Sequence, residues 1–240
     1  MSTLTYPAPA PAPTATAVAH RPLRRPRHSV WPYAGLVSAA SGATSLFFLS
    51  QGDDQFAQDS VPSTKFVLDN LHGATWIKFG GAMGLLSVVA GMVFLLGLTN
   101  FFQRLRPDRT TVHAAMRIAT AAFVASATVG ALMRYIVAGG AKGGIDKNLY
   151  THEAVSTLSS LADQLACASY LPALIATGIA GWVGFKDRLL ARPIGVGLML
   201  LTAGSASATL ILGLPYSSII DFPVMTVLIA ANAIFSRKAV

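Results

Sequence analysis

The apolar positions of this chain fall into six blocks, at approximately 32–50, 75–101, 113–138, 155–184, 194–213 and 219–236, separated by polar segments whose charge alternates in sign. Most blocks approach or exceed the roughly 20 residues an α-helix needs to cross a bilayer. The pattern predicts an all-α, polytopic membrane bundle of six transmembrane helices spanning residues 29–240. Ahead of it, the run Tyr6-Pro-Ala-Pro-Ala-Pro-Ala-Pro13 cannot form a helix interior and has too little apolar bulk to fold alone. Residues 1–28 are therefore expected to be a disordered, basic Pro/Ala-rich tail lying against anionic lipid headgroups. The block after it is longer than the 7–15-residue apolar core of a secretory signal, which favours an uncleaved first helix.

The polar segments set an orientation. Arg21, Arg24, Arg25 and Arg27 precede the first span; Arg104, Arg106 and Arg109, with Asp108, follow the second; Lys186, Arg188 and Arg192 follow the fourth; Arg237 and Lys238 end the chain. The first loop instead holds Asp53, Asp54, Asp59 and Asp69 against Lys65. With six spans every basic segment falls on one side, so both termini are expected in the cytoplasm, in a plasma or bacterial inner membrane. Composition agrees: 53% of residues are hydrophobic, 12% are charged, and Glu153 is the single glutamate. That charged share is about half the usual value for a soluble domain. A net charge of +8 points to lipid headgroups and not to nucleic acid, because the cations sit at span ends.

Small residues mark the surfaces that let helices approach closely in lipid, where van der Waals contact drives association. Span two carries Gly80-x-x-x-Gly84 and Gly91, and span four carries Gly178, Gly181 and Gly184. Spans one and five are rich in Ser, Ala and Gly around Ser38–Ala43 and Ala203–Ala208; shared composition accounts for their likeness, and no repeat is inferred. Intramolecular packing is the expected use of these stripes, with a dimer interface or a substrate groove as the alternative; a homo-oligomer or membrane-complex partner is thus also an expectation.

Chemistry is expected where ionisable groups enter the apolar blocks, since burial there costs at least a few kcal/mol unless the group is paired or hydrated. Asp163 lies about ten residues into span four, too deep for its short side chain to reach the interface, and Gln164 follows it. Pro172 removes a backbone hydrogen bond to the Ala168 carbonyl, so a kink is expected nearby. Arg134, about one turn from the outer end of span three, is the expected partner of Asp163. Lys78 and His72 flank span two, His152 and Glu153 open span four, and Asp221 opens span six beside Tyr216; together they would line an outward-facing polar vestibule.

Several chemistries are set aside. Cys167 is the single cysteine, which excludes an internal disulfide and a Cys-x-x-Cys centre. His72, His152 and Glu153 lack a metal-binding spacing, and no metal or cofactor is expected. An intramembrane serine protease is disfavoured because Gly204-Ser205-Ala206-Ser207 lacks the nucleophile pattern and span six has no histidine. Three readings stand: a small-solute or proton-coupled transporter or solute-binding membrane protein, an accessory subunit of a larger membrane complex, and a membrane enzyme acting on a lipid or isoprenoid ligand with Asp163 as general acid.

Overall fold

A computed structural model describes residues 29–50, 75–137, 151–213 and 216–235. The proposed tail 1–28, the acidic first loop with His72, and the third loop at 138–150 lie outside the described residues. The described residues form helices and turns only: α1 (Trp31–Ser50), α2 (Thr75–Leu105), α3 (Thr110–Val137), α4 (His152–Ala168), α5 (Leu171–Lys186), α6 (Arg192–Ile211) and α7 (Tyr216–Phe235). The expected all-α bundle is what the chain builds. Segments 78–105, 110–133, 164–186, 192–211 and 217–235 are each long and apolar enough to cross a membrane. The chain is thus a multi-pass membrane protein. The 20-residue α1 is diluted by small and hydroxyl residues, and its buried Ser38, Ser41 and Ser45 face the bundle.

The small-residue stripes of spans one, two and four are packing surfaces within the chain. Helices α1 and α2 run antiparallel in register: a Cβ on Gly35 would sit 2.6 Å from the Phe94 ring, one on Gly91 3.1 Å from Ser38 Oγ, one on Gly42 2.9 Å from Ser87 Oγ, and one on Gly84 2.9 Å from Ser45 Oγ. At the centre of this seam Ser38 Oγ donates to the Ser87 carbonyl at 2.9 Å and Ser87 Oγ donates back to the Ser38 carbonyl at 2.8 Å. Between α5 and α6 the same device recurs. Gly178 lies under Thr202, Gly181 under Leu198 and Gly195 under Phe185. Helix α5 is the most enclosed, burying Ala173, Leu174, Ala176, Thr177, Ala180 and Val183 among other residues.

Helix α3 packs on α2, α4 and α5, and α7 packs on α1, α4, α5 and α6. The core between them is filled by Phe94, Leu98, Phe123, Leu174, Phe222 and Met225, all essentially inaccessible. Helix α6 touches the bundle along one side only, and Leu200, Leu210 and Ile211 on its other face are 67%, 75% and 77% exposed.

Candidate functional site

The expected fourth span is interrupted at the expected kink, where Ser169 and Tyr170 join two helices and themselves stay in the right-handed helical region. Helix α4 ends at Ala168, and α5 begins at Leu171 with Pro172 in its first turn. Proline has no N–H to donate, so the helical ladder cannot run through it. At the break the Tyr170 N–H turns to the Cys167 carbonyl at 3.3 Å, a tightened link, before the regular pattern resumes from Leu174 N–H to the Tyr170 carbonyl. A helix broken inside a membrane leaves carbonyls that lipid cannot satisfy. Neighbouring hydroxyls help to satisfy them: Ser126 Oγ of α3 donates to the Ser169 carbonyl at 2.9 Å, and Ser218 Oγ of α7 gives the Cys167 carbonyl a second hydrogen bond at 2.5 Å. Ser169 Oγ folds back onto the Ala166 carbonyl at 2.6 Å. Beside the break, the rings of Phe123, Tyr170 and Phe222 form a closed trio with centroids 5.3–5.7 Å apart.

Close backbone approach fixes the level of α3 against α4. A Cβ on Gly130 would lie 2.8 Å from Ala166 Cα, so only glycine fits at this crossing. Arg134 is one turn beyond Gly130 on α3, and Asp163 is just under one turn before Ala166 on α4. As the two helices run in opposite directions, both residues occupy the same level along the pair. The side chains of Arg134, Asp163, His152, Glu153 and Tyr216 lie outside the described residues.

Gln164 and Lys78 are exposed. Helix α7 starts at Tyr216, earlier than the expected 219, so Asp221 lies a turn and a half inside the helix and does not cap its N-terminus. Its carboxylate instead accepts a hydrogen bond from Ser205 Oγ of α6. From the contact of Cys167 with Ser218, Asp163 lies toward the start of α4 and Asp221 toward the end of α7, about 10 Å apart along the axis.

A second polar cluster sits at the basic end, where the sequence reading names Asp108 among the cations but not Asp187. Asp187 at the end of α5 has a side chain just 6% exposed. Arg106 Nη1 reaches its Oδ1 at 2.7 Å and Arg109 Nη2 reaches the same oxygen at 3.2 Å. The α2–α3 turn is thereby pinned to the α5–α6 turn. Because both guanidiniums converge on Oδ1, Asp187 Oδ2 and Arg109 Nε are buried without a hydrogen-bond partner, as is His113 Nε2 one turn along α3. Arg106 also forks onto Asp108 at 3.1 and 3.0 Å. That hydrogen bond holds the Asp108 carboxyl below its ordinary range and raises the Arg106 guanidinium above its own. Arg188 closes the turn in the left-handed region at φ 56°, a conformation costing a non-glycine residue about 1 kcal/mol. In the sequence, Asp187 between Lys186 and Arg188 reads as a solvated loop charge, and nothing there signals its partners. Arg117, at the same end, donates to Gln103 Oε1 at 2.7 Å and links α3 to α2.

No group of three or more His, Cys, Asp or Glu side chains with metal-binding geometry occurs among the described residues. Comparison with protein-family models, characterised proteins and solved structures finds no match to this chain.

Proposed function

We propose that the protein is a small-solute or proton-coupled transporter whose site lies at the broken fourth span, with both termini on the cytoplasmic side. Asp163 is the proton- or ligand-binding carboxylate and Arg134 its counter-ion. The observation that carries this reading is the discontinuity between α4 and α5, maintained by hydroxyls from α3 and α7. Irregular backbone at membrane depth is tolerated where it is enclosed by protein or lines a cavity, and broken helices are a recurrent way of building transporter sites. The common level of Arg134 and Asp163 at the Gly130 crossing supports the pairing. A carboxylate beside a guanidinium stays ionised until a proton or cationic solute competes for it.

The test uses purified protein in liposomes loaded with a pH-sensitive dye, energised by an inward proton gradient and challenged with a panel of amino acids, sugars and organic ions. Solute-dependent acidification is expected from the wild type, lost in Asp163→Asn and retained in Asp163→Glu. Acidification that survives Asp163→Asn, or that no solute elicits, overturns the reading. Additive losses of stability on neutralising Asp163 and Arg134 separately and together would show that the two do not pair.

The accessory-subunit reading has one specific observation in its favour. On α6, a methyl group placed on Gly197 or Gly204 would meet nothing within 4 Å, so a small-residue face is turned away from the bundle. Native mass spectrometry of the chain extracted in mild detergent separates the two readings: a fixed stoichiometry with other proteins favours the subunit, and a lone chain or homo-oligomer favours transport.

A further inference from the structure

The basic end offers more cation than its own carboxylates engage. Arg104, Arg106, Arg109, Lys186, Arg188 and Arg192 gather on the two pinned turns against Asp108 and Asp187. Both carboxylates are committed to Arg106 and Arg109. Lys186 has no carboxylate within ion-pair distance among the described residues, although Asp187 is its chain neighbour. Its Nζ instead lies 5.0 Å from the Trp182 ring centroid, and Arg109 Cζ lies 6.0 Å from the same ring. One indole thus gathers two cations from two different turns. Trp182 is 42% exposed and stands one turn from the end of α5, the depth at which tryptophan meets lipid headgroups.

What lies below these cations decides the occupant. Ile175, Ile179, Trp182 and Lys186 follow one another at helical spacing along one face of α5, with Ile175 45% exposed and Ile179 half-buried with its inner side against the core. Gly181 and Gly184 lie on the far side of the helix, against Leu198 of α6 and Leu190, and Gly178 lies between the two faces, against Thr202. The face therefore reads, from the membrane interior outward, as an apolar track, an interfacial aromatic and then two cations. A free phosphate would use the cations and leave the track unused. A phospholipid uses all three.

We infer that the Trp182–Lys186–Arg109 corner binds the phosphate of an anionic phospholipid, with an acyl chain lying along Ile175 and Ile179. Asp187 positions Arg109 for this role by holding its Nη2. The inference does not depend on the transport reading, since it concerns the opposite end of α5 from the helix break.

The experiment is native mass spectrometry of the full-length protein in mild detergent, titrated with phosphatidylglycerol or phosphatidylcholine of equal chain length. Preferential retention of phosphatidylglycerol is expected. Lys186→Gln should cut that preference about fivefold, the effect of one basic residue at an anionic lipid surface. Trp182→Leu should also reduce it, and Arg192→Gln, on the neighbouring turn but away from the indole, should leave it unchanged. Equal retention of the two lipids overturns the site. So does an equal loss in Lys186→Gln and Arg192→Gln, which would show diffuse attraction only. Displacement of bound lipid by millimolar glycerol 3-phosphate would reassign the corner to a soluble phosphate ligand. A melting temperature for each variant confirms that it is folded; Lys186 is exposed, so its variant carries the test even if Trp182→Leu is unstable.

Discussion

A single carboxylate, Asp187, ties together turns that are 78 residues apart in the chain. Removing it would leave the two guanidiniums sharing only the exposed Asp108, which reaches Arg106 at 3.0 Å and Arg109 at 3.8 Å. Breaking a buried ion pair costs about 3–5 kcal/mol, but here the arginines are 33% and 24% exposed and water replaces part of the lost attraction. Asp187→Ala is therefore expected to destabilise the detergent-solubilised protein by about 2 kcal/mol, read as a lowered midpoint in thermal unfolding. An unchanged midpoint would mean that helix packing alone holds the turns. Asp108 behaves differently because it is 60% exposed. Its carboxyl is held below its ordinary value in the folded protein, chiefly by the Arg106 hydrogen bond, so its contribution is present above the unfolded value and disappears as pH falls through the folded one. The small stability gap between wild type and Asp108→Asn is thus expected to be constant at neutral pH and to close below about pH 4.

At the scale of elements, the broken fourth span depends on hydroxyls contributed by its neighbours. Ser218→Ala would leave the Cys167 carbonyl without its donor from α7, at a cost of about 1 kcal/mol by the scale of interhelical hydrogen bonds in membranes. Ser126→Ala would do the same to the Ser169 carbonyl. Faster amide exchange confined to α4 and the start of α5 is the expected signature, and exchange unchanged in both variants would show that the aromatic trio alone maintains the break. The break itself is legible in the sequence, because Pro172 forbids a continuous ladder whatever surrounds it. Ser126 and Ser218 are not, since a serine in an apolar run looks the same whether it bonds its own helix or another. Ser126 does both, donating also to the Ala122 carbonyl at 2.8 Å. The glycine stripes are legible as close-packing faces for a similar reason: lipid gives no other common use for them. Their partners emerge only from the antiparallel register of α1 with α2 and of α5 with α6. Asp163 and Arg134 stand out as charges within apolar runs, and the Gly130–Ala166 crossing adds their common level. Asp221 is legible as a polar residue near a helix start but misplaced by the later expected boundary, which hides its bond to Ser205.

At the scale of the whole molecule, the order of packing closes the chain on itself: α1 lies against both α2 and α7, so the first and last helices are neighbours. The α2–α3 and α5–α6 turns meet at the Asp187 cluster, which requires both to emerge on one side of the membrane. Those turns and their flanks carry Arg104, Arg106, Arg109, Arg188 and Arg192, and the excess of basic residues on short loops is the reason that side is expected to face the cytoplasm. The chain lends itself to a direct test because Cys167 is its one cysteine and is buried among apolar neighbours, so Cys167→Ala gives a cysteine-free background. Single cysteines introduced there as Gln103→Cys or Arg188→Cys are expected to react with a membrane-impermeant maleimide only after the membrane is opened. Thr151→Cys and Gly213→Cys, at the start of α4 and beyond α6, are expected to react in intact cells. Reaction of Gln103→Cys and Arg188→Cys from opposite sides would contradict the pinned turns, because a buried carboxylate cannot join loops across a bilayer about 30 Å thick. Reaction of both from outside would keep the bundle and reverse its orientation, moving the basic corner at Trp182 and Lys186 to the outer leaflet and turning the proposed proton path at Asp163 to face the cytoplasm.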